Sequence, residues 1–214
     1  MYKHFFKRFF DIVLSFIGII VLALPMLIVA IIIKIDSSGP VLFKQKRVGK
    51  KKNGEITYFN IWKFRSMPVS APHDTPTHQL QNAEDMLSRW QRFMRRASID
   101  ELPQIFNIFA GQMSVIGPRP ALWNQDDLVA ERDKYGANDV KPGLTGWAQI
   151  NGRDELEIPV KAKLDGEYVE KMSFSMDVKC FFGTIKSVLK NDGVVEGGTG
   201  EMRKEATEKE TVSK

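Results

Sequence analysis

The sequence predicts an α/β protein with an N-terminal re-entrant membrane helix and a compact cytosolic domain that contains a small β-hairpin and amphipathic interfacial helices. Three observations support this prediction: an uncharged run near the N-terminus, two strand-like runs joined by a turn, and two later segments with apolar residues at helical spacing. A chain of 214 residues allows one well-buried domain and little more. We expect an anchor over 1–36, a domain over 37–192 and a disordered tail over 193–214, which is rich in glycine and charge.

Residues 12–33 carry no charge, and as a helix they would be about 33 Å long, enough to cross a bilayer. Basic residues lie on both sides of this run: Lys3, Lys7 and Arg8 before it, and Lys34, Lys44, Lys46, Arg47, Lys50, Lys51 and Lys52 after it. A single span would have to export one basic flank, although positive loops usually stay in the cytoplasm. Pro25 removes a backbone donor near the middle and kinks the helix. We therefore favour a re-entrant helix that bends at Pro25, with a single span as the alternative.

The runs VLFKQKRVG and ITYFNIWKFRSM are rich in β-branched and aromatic residues, and the Asn-Gly pair at 53–54 lies between them. This pattern predicts a β-hairpin. Alternation along the second strand places Ile61, Lys63 and Arg65 on one face. That face is either a solvated strand surface or a site for anions.

Residues 83–97 and 102–113 have the apolar spacing of amphipathic helices. The first of them has a cationic edge formed by Arg89, Arg92, Arg95 and Arg96. A basic amphipathic helix with a tryptophan suits a lipid surface, and ordinary core packing is the alternative.

The stretch RRASIDELPQIF at 95–106 places Asp100 and Glu101 side by side next to arginines. Ser98 and Glu101 match a capping box, or Asp100 is itself the N-cap with Pro103 in the first turn. Adjacent side chains on a helix point about 100° apart, so the two acids suit different roles rather than a shared proton. A carboxylate beside cations and a helix N-terminus stays ionised, as a nucleophile must.

Arg119 lies in the motif GPRP, where the flanking prolines limit the freedom of the backbone. A guanidinium held in this way suits bidentate binding of phosphate. The acid pair and Arg119 together allow two interpretations. One is helix capping with charge compensation, and the other is a carboxylate nucleophile among phosphate-binding groups.

Four motifs occur in order after the apolar N-terminus: FKQKRVG, IWKFRSM, RRASIDELPQIFNIFAGQMSVIGPRP and VKPGLTGWAQINGRDELEI. Over residues 3–190 the chain resembles the bacterial sugar transferases, the monotopic phosphoglycosyl transferases. The resemblance implies transfer of a sugar 1-phosphate from a UDP-sugar to undecaprenyl phosphate with release of UMP, and a requirement for Mg²⁺. It also implies a place at the cytoplasmic face of the bacterial inner membrane, where such enzymes start capsule, exopolysaccharide, O-antigen or glycoprotein glycan synthesis.

The resemblance further implies a role for each site residue. Asp100 would be the nucleophile that carries a covalent phosphosugar, and Glu101 would assist protonation or bind Mg²⁺ together with Asp100. Arg95 would hold phosphate or orient the acids. The remaining contacts would come from Lys63, Arg65 and Arg119 for phosphate, and from Gly143, Thr145, Gly146, Gln149 and Arg153 for the nucleotide sugar.

The composition and the motifs do not decide which UDP-sugar is the donor, and they leave a non-catalytic protein as an alternative to an enzyme. The runs PALWNQDDL and GRDELEI are faintly similar to relatives that use N-acetylated deoxyhexosamines, with UDP-galactose or UDP-glucose as the alternative. A non-catalytic membrane-tethered scaffold would use the 98–101 segment only as a cap.

A net charge of +5 suits membrane lipid or phosphate-bearing substrates. We expect no nucleic-acid partner, because the basic run at 44–52 lacks an aromatic platform. The sequence gives no indication of the oligomeric state.

Overall fold

The computed structural model describes residues 2–70, 86–152 and 156–190. The predicted tail and Arg153 lie outside these residues. The described chain is a mixed α/β fold, as predicted, with two small sheets and one long apolar N-terminal helix. A short π-helical segment, Tyr2–Phe6, precedes this helix, and 3₁₀ turns lie at Ile99–Glu101 and Ala137–Asp139. The helices and strands are α1 (Lys7–Asp36), β1 (Leu42–Val48), β2 (Tyr58–Phe64), α2 (Arg89–Arg96), α3 (Gln104–Phe109), β3 (Ser114–Ile116), α4 (Asp126–Asp133), β4 (Gly143–Thr145), α5 (Trp147–Ile150), α6 (Ile158–Glu170) and α7 (Phe174–Lys190).

The predicted hairpin is confirmed. Strands β1 and β2 pair antiparallel, in a register that runs from Leu42 opposite Phe64 to Val48 opposite Tyr58. Asn53 and Gly54 both have positive φ, of 52° and 83°, which explains the Asn-Gly pair in the connecting segment. The second sheet was not predicted, because β3 and β4 are parallel strands of only three residues each. Such short strands show no alternating pattern in the sequence.

Helix α1 packs against the domain along one stripe. Its buried residues form two groups, each with steps of three or four positions as expected for one face of a helix: Lys7, Asp11 and Ser15, and then Met26, Val29 and Ile33. Between them, Gly18 meets Ile105 of α3. Near the N-terminal end Lys7 pairs with Asp177 of α7 at 2.8 Å, and near the other end Ile33 packs in one cluster with Phe64 and Met94. Both ends of α1 therefore contact the same domain.

Helix α1 is long and apolar enough to cross a membrane by length and composition. The helix runs from Lys7 to Asp36 with Pro25 inside it. The side that faces away from the domain is apolar and exposed, as at Leu24, Leu27 and Ile31. Length, composition and exposure do not distinguish a single span from a helix that returns to the same side. The predicted bend at Pro25 and the re-entrant path stay predictions.

A buried carboxylate fixes the N-terminal part of α1 to the second sheet. Asp11 is only 4% exposed, and its Oδ1 accepts hydrogen bonds of 2.9 Å from the Ser114 hydroxyl and from the Val115 backbone N–H. Because β3 leads directly into the GPRP motif, Asp11 ties α1 to the strand that precedes Arg119.

We expect Asp11→Ala to lower the free energy of unfolding by about 2–4 kcal/mol, because it leaves the buried Ser114 hydroxyl and the partly buried Val115 N–H without their acceptor. The measurement is thermal unfolding of the purified chain in detergent. Leu14→Ala is the matched control, since Leu14 lies on the exposed side of the same helix. Equal unfolding temperatures for the two variants would contradict the anchoring role of Asp11.

Within the described residues the amphipathic segments form helices that are shorter than predicted, and positions 83–85 of the first predicted segment lie outside those residues. Helix α2 begins only at Arg89, because Ser88 caps it in a reciprocal box with Gln91. Helix α3 ends at Phe109, two residues before Gly111, which adopts a left-handed φ of 82°. Met94 is fully buried, whereas several phenylalanines of α2 and α3 are exposed, namely Phe93, Phe106 and Phe109. Contact of these helices with lipid stays a prediction.

The predicted capping role of the 98–101 segment is wrong. Ser98 adopts a left-handed conformation with φ 54°, and its side chain caps no helix. Pro103, not Asp100, occupies the N-cap position of α3. Asp100 and Glu101 lie instead in the 3₁₀ turn between α2 and α3.

Candidate active site

The acid pair lies on a short turn that is held from behind by the hydrophobic core. The left-handed Ser98 turns the chain after α2, and the 3₁₀ turn Ile99–Glu101 follows at once. Ile99 and Leu102 pack against the cluster that contains Met94 and Phe64. Because the apolar neighbours on both sides of the acids are fixed in this cluster, the two carboxylates are held toward the end of β2.

Glu101 is the centre of an ion-pair network. The Lys63 ammonium donates to its Oε1 at 2.9 Å, and Arg119 donates to Oε1 at 2.7 Å and more weakly to Oε2 at 3.4 Å. Burial alone would raise the pKa of Glu101, but Arg119 and Lys63 outweigh that effect and hold the pKa well below its usual range. Glu101 is therefore ionised, and it brings two of the predicted phosphate-binding cations to one point.

Asp100 has a different environment from its neighbour. It is 7% exposed, and its Oδ2 accepts a hydrogen bond of 3.3 Å from the Ser66 hydroxyl. Burial raises the pKa of Asp100, the charge of Glu101 raises it further, and Lys63, Arg95 and Arg119 oppose the rise. Two adjacent carboxyls thus have their pKa values moved in opposite directions, which is the pattern expected for two distinct roles.

The loop that carries Arg119 is fixed by backbone contacts with β4. The Gly117 N–H donates to the Thr145 carbonyl, and the Gly143 N–H donates to the Pro118 carbonyl, each at 2.8 Å. On the other side Arg132 donates to the Arg119 carbonyl at 2.9 Å. Arg132 is itself held by a buried ion pair with Asp165 at 2.6 Å. The direction of the Arg119 side chain toward Glu101 is therefore set by a rigid support.

Glycine is required where β4 meets this loop. A Cβ at Gly143 would collide with the backbone N–H of Gly117, and its Cα and carbonyl would lie 2.6 Å away. A Cβ at Gly146 would collide with the Gly117 carbonyl. These neighbours are backbone atoms, which cannot move aside as a flexible side chain can.

We expect Gly143→Ala to lower the free energy of unfolding by about 1–3 kcal/mol, because the added methyl group forces the two backbones apart. Thermal unfolding checks this, with Gly183→Ala as the matched control. In that control the new Cβ would meet only side-chain atoms, those of Ile150, with its Cδ1 closest at 2.8 Å. If the two variants were equally stable, the close approach of Gly143 and Gly117 would not constrain the loop.

The other residues predicted for the nucleotide sugar lie near this loop but point to different neighbours. The Thr145 hydroxyl is 2.6 Å from the Thr184 hydroxyl of α7. Gln149 donates weakly to the Leu144 carbonyl, and its Oε1 is buried without a hydrogen-bond partner among the described residues. That oxygen would lie 2.9 Å from a Cβ at Gly146. The contact of these residues with a nucleotide sugar stays a prediction.

Arg65 and Arg95 differ in their relation to the acid pair. Arg65 donates to the Ser38 carbonyl at 2.5 Å and to the Ser37 carbonyl at 2.7 Å, so it ties the end of β2 to the end of α1. The structure does not bring Arg65 to the carboxylates. Arg95 lies in the last turn of α2, and its charge acts on Asp100.

The donor atoms of the acid pair fit Mg²⁺. Among the described residues no group of three or more His, Cys, Asp or Glu side chains could hold a metal. Mg²⁺, however, commonly takes only one or two carboxylates and completes its shell with water and substrate phosphates. Asp100 and Glu101 supply two adjacent carboxylates of this kind.

Sequence reasoning missed three residues that support the site. Ser66 follows the KFR motif directly, and extending the hairpin by two positions would have placed it beside the acids. The Arg132–Asp165 pair gave no signal, because the two residues are 33 positions apart and each occurs in an ordinary helical segment.

Comparison with known proteins agrees with the motifs. The family described as "Bacterial sugar transferase" matches residues 2–191. The undecaprenyl-phosphate glucose phosphotransferase of Komagataeibacter xylinus is 40% identical over 190 residues, which cover 84% of this chain and 35% of that protein. The uncharacterized sugar transferase EpsL of Bacillus subtilis (strain 168) is 36% identical over 188 residues, which cover 88% of this chain and 89% of that protein.

A third relative is the UDP-N-acetylgalactosamine-undecaprenyl-phosphate N-acetylgalactosaminephosphotransferase of Aeromonas hydrophila. It is 36% identical over 200 residues, which cover 88% of this chain and 45% of that protein. The chain thus spans less than half of the Komagataeibacter and Aeromonas proteins and nearly all of EpsL. The family match extends over most of the chain and includes both the acid pair and the GPRP loop, so this protein belongs to the bacterial sugar transferase family.

Proposed function

We propose that this protein transfers a sugar 1-phosphate from a UDP-sugar to undecaprenyl phosphate and releases UMP. The observation that carries the proposal is the contrast within the acid pair. Glu101 is held ionised by Lys63 and Arg119, while Asp100 is buried beside it with a raised pKa. The names of the Komagataeibacter and Aeromonas relatives, which both describe sugar phosphotransferases acting on undecaprenyl phosphate, support the same reaction.

The proposed reaction has two displacements at one phosphorus atom. In the first, a carboxylate oxygen of Asp100 bonds to the phosphorus that bears the sugar, and the bond from that phosphorus to the UMP oxygen breaks. UMP departs with the electron pair and leaves a phosphosugar on Asp100. In the second, a phosphate oxygen of undecaprenyl phosphate attacks the same phosphorus, and Asp100 is released as a carboxylate. A single nucleophile thus serves one soluble and one lipid substrate in turn.

The surrounding residues suit this chemistry. Lys63 and Arg119 bind Glu101, and their positive charges also act on Asp100, so they can stabilise negative charge on the diphosphate. Arg95 adds a third positive charge that acts on Asp100. Burial leaves the Asp100 carboxylate poorly solvated, which makes the ionised form a better nucleophile than an exposed one.

Asp100 and Glu101 would hold Mg²⁺ together with oxygens of the substrate. Bound there, the ion would neutralise charge on the diphosphate and on the departing UMP. Glu101 would have to share its oxygens, because Lys63 and Arg119 contact them in the structure. The role of Glu101 in protonation is the alternative.

We also propose that α1 anchors the domain from one side, at the cytoplasmic face of the bacterial inner membrane. The two ends of α1 contact the same domain, near Asp177 and near Phe64, which supports a helix that enters and leaves at one surface. Basic residues flank the apolar run on both sides, as expected when both flanks stay in the cytoplasm. A bend at Pro25 would let the helix return.

The proposed donor is a UDP-N-acetyl-deoxyhexosamine, from the similarity of the PALWNQDDL and GRDELEI runs to relatives with such donors. UDP-glucose and UDP-galactose are the alternatives, and the name of the Komagataeibacter relative favours glucose. The test is UMP release from a panel of UDP-sugars with Mg²⁺ and undecaprenyl phosphate. We expect release with one donor and loss on chelation of the metal. A folded, membrane-bound protein that releases UMP from no donor would favour the scaffold alternative.

A further inference from the structure

Two cations, Arg8 and Lys141, lie next to Gly111, near the N-terminal end of α1. Gly111 follows α3 with a φ of 82°, and a Cβ built on it would lie 3.1 Å from Nη2 of Arg8 and 3.5 Å from Nζ of Lys141. The two charged groups are thus close neighbours, although they come from α1 and from the segment before β4. The acid pair precedes α3 and Gly111 follows it, so this cluster lies at the opposite end of that helix.

The position of Arg8 is explained by the fold. Its guanidinium donates to the Ile108 carbonyl at 2.7 Å and to the Phe109 carbonyl at 2.8 Å, which satisfies the C-terminal end of α3. These two bonds hold the guanidinium in place four residues before the uncharged run begins. Arg8 is therefore a fixed positive charge at the level where α1 would enter the lipid.

The position of Lys141 is not explained by hydrogen bonds of this kind. It is half-buried, and among the described residues no hydrogen bond or ion pair reaches its ammonium group. Burial lowers the pKa of Lys141, the charge of Arg8 lowers it further, and the exposed Lys50 and Lys52 add to the effect. Asp11 alone opposes them, and its carboxylate already accepts from Ser114 and Val115. The cluster thus has more positive than negative charge, with Arg8, Lys141, Lys50 and Lys52 against Asp11.

We propose that Arg8 and Lys141 bind the phosphate of an anionic phospholipid headgroup at the foot of α1. A phosphate between the two cations would compensate their repulsion and accept the hydrogen bonds that Lys141 can donate. The exposed rings of Phe9 and Phe109 flank Arg8 on α1 and α3, and they suit the apolar region next to a headgroup. Lys50 and Lys52 add charge that attracts an anionic surface. This proposal rests on the anchoring of α1 in the membrane proposed above.

The test is the thermal unfolding of the full chain in neutral detergent during titration with phosphatidylglycerol or with phosphatidylcholine. We expect a saturable rise of the unfolding temperature with phosphatidylglycerol alone. Lys141→Gln should raise the phosphatidylglycerol concentration at half-saturation at least about fivefold, whereas Lys141→Arg should keep the response of the unmodified chain. Lys163→Gln is the control of equal charge change, because Lys163 is exposed on α6. It should respond as the unmodified chain does.

Three results would overturn the proposal: an equal rise with phosphatidylcholine, an unchanged response of Lys141→Gln, or the same stabilisation by inorganic phosphate, which would assign the site to a soluble anion. Flotation with phosphatidylcholine vesicles tests the anchoring separately. A chain that floats with these vesicles but shows no preference for phosphatidylglycerol in the unfolding experiment would overturn only the headgroup site. A chain that does not float with the vesicles would overturn the anchoring. UMP release tests the reaction independently of both.

Discussion

Asp100→Asn is expected to reduce UMP release by about a thousandfold or more, since an amide cannot form the proposed bond to phosphorus. The same substitution is expected to raise the unfolding temperature at neutral pH. Burial raises the pKa of Asp100 in the folded state above its value in the unfolded chain. The folded chain therefore binds the proton more tightly, and stability falls as the pH rises between the two pKa values. Asparagine has nearly the same shape and removes this cost.

Parallel measurements of UMP release and thermal unfolding check both parts of this prediction. The gain in stability should be largest at high pH and should shrink as the pH falls and Asp100 becomes protonated. Asp139→Asn is the control, because Asp139 is exposed and far along the chain from the acid pair. A variant at Asp100 that keeps UMP release, or one that is less stable than the unmodified chain at pH 7, would contradict this account of Asp100.

Glu101→Gln is expected to reduce UMP release by about a hundredfold, because Lys63 and Arg119 lose the carboxylate that positions them. The remaining activity should persist to lower pH than that of the unmodified chain. The charge of Glu101 raises the pKa of Asp100, so removing it lowers that pKa. Since the reaction needs ionised Asp100, the acid limb of the pH profile moves with this pKa.

Arg95→Gln should move the acid limb in the opposite direction. The charge of Arg95 lowers the pKa of Asp100, and its removal lets the pKa rise. The measurement is the rate of UMP release against pH for both variants and the unmodified chain. Acid limbs that shift in the same direction, or that do not shift at all, would show that Asp100 does not control the pH dependence.

The hairpin could be predicted because each of its signals is local. Alternation, β-branched residues and the Asn-Gly pair lie within 23 consecutive positions, 42–64, and the structure confirms both strands. The position of Lys63 beside Glu101 could not be derived from the strand pattern. The pattern shows which side of β2 carries Lys63, but it does not show which residue packs against that side. That residue is 38 positions away along the chain. The motifs brought the two residues together only through the resemblance to a family.

The capping prediction failed because the pattern of a serine followed three positions later by Glu or Gln does not by itself identify a helix start. The pattern occurs twice in this chain, and only the first occurrence caps a helix by its side chain. Ser88 and Gln91 form the capping box of α2, while Ser98 and Glu101 match the pattern but belong to a 3₁₀ turn. Glu101 cannot reach back to a cap because Lys63 and Arg119 bind it. Tertiary ion pairs thus override a local preference at the site itself, where function and local propensity commonly conflict.

The buried face of α1 could not be recognised in the sequence, because nearly all the residues around it are apolar as well. Asp11, Ser15 and Gly18 are the polar and small residues of this face, and they follow one another at helical spacing. Hydropathy alone indicates that the segment is long and apolar enough to cross a membrane, and it does not show that one face packs against a domain. The partners of that face, such as Ser114 and Ile105, follow only from the folded chain.

The central claim is the covalent phosphosugar on Asp100. The most direct test is to incubate the protein with Mg²⁺ and a UDP-sugar that is labelled in the phosphate next to the sugar, without undecaprenyl phosphate, and to map the label by proteolysis and mass spectrometry. We predict a burst of UMP equal to the amount of active protein, with the label on the peptide that contains Asp100. Addition of undecaprenyl phosphate should then remove the label. Label on another residue, or UMP release only when the lipid is present, would contradict the two-step mechanism.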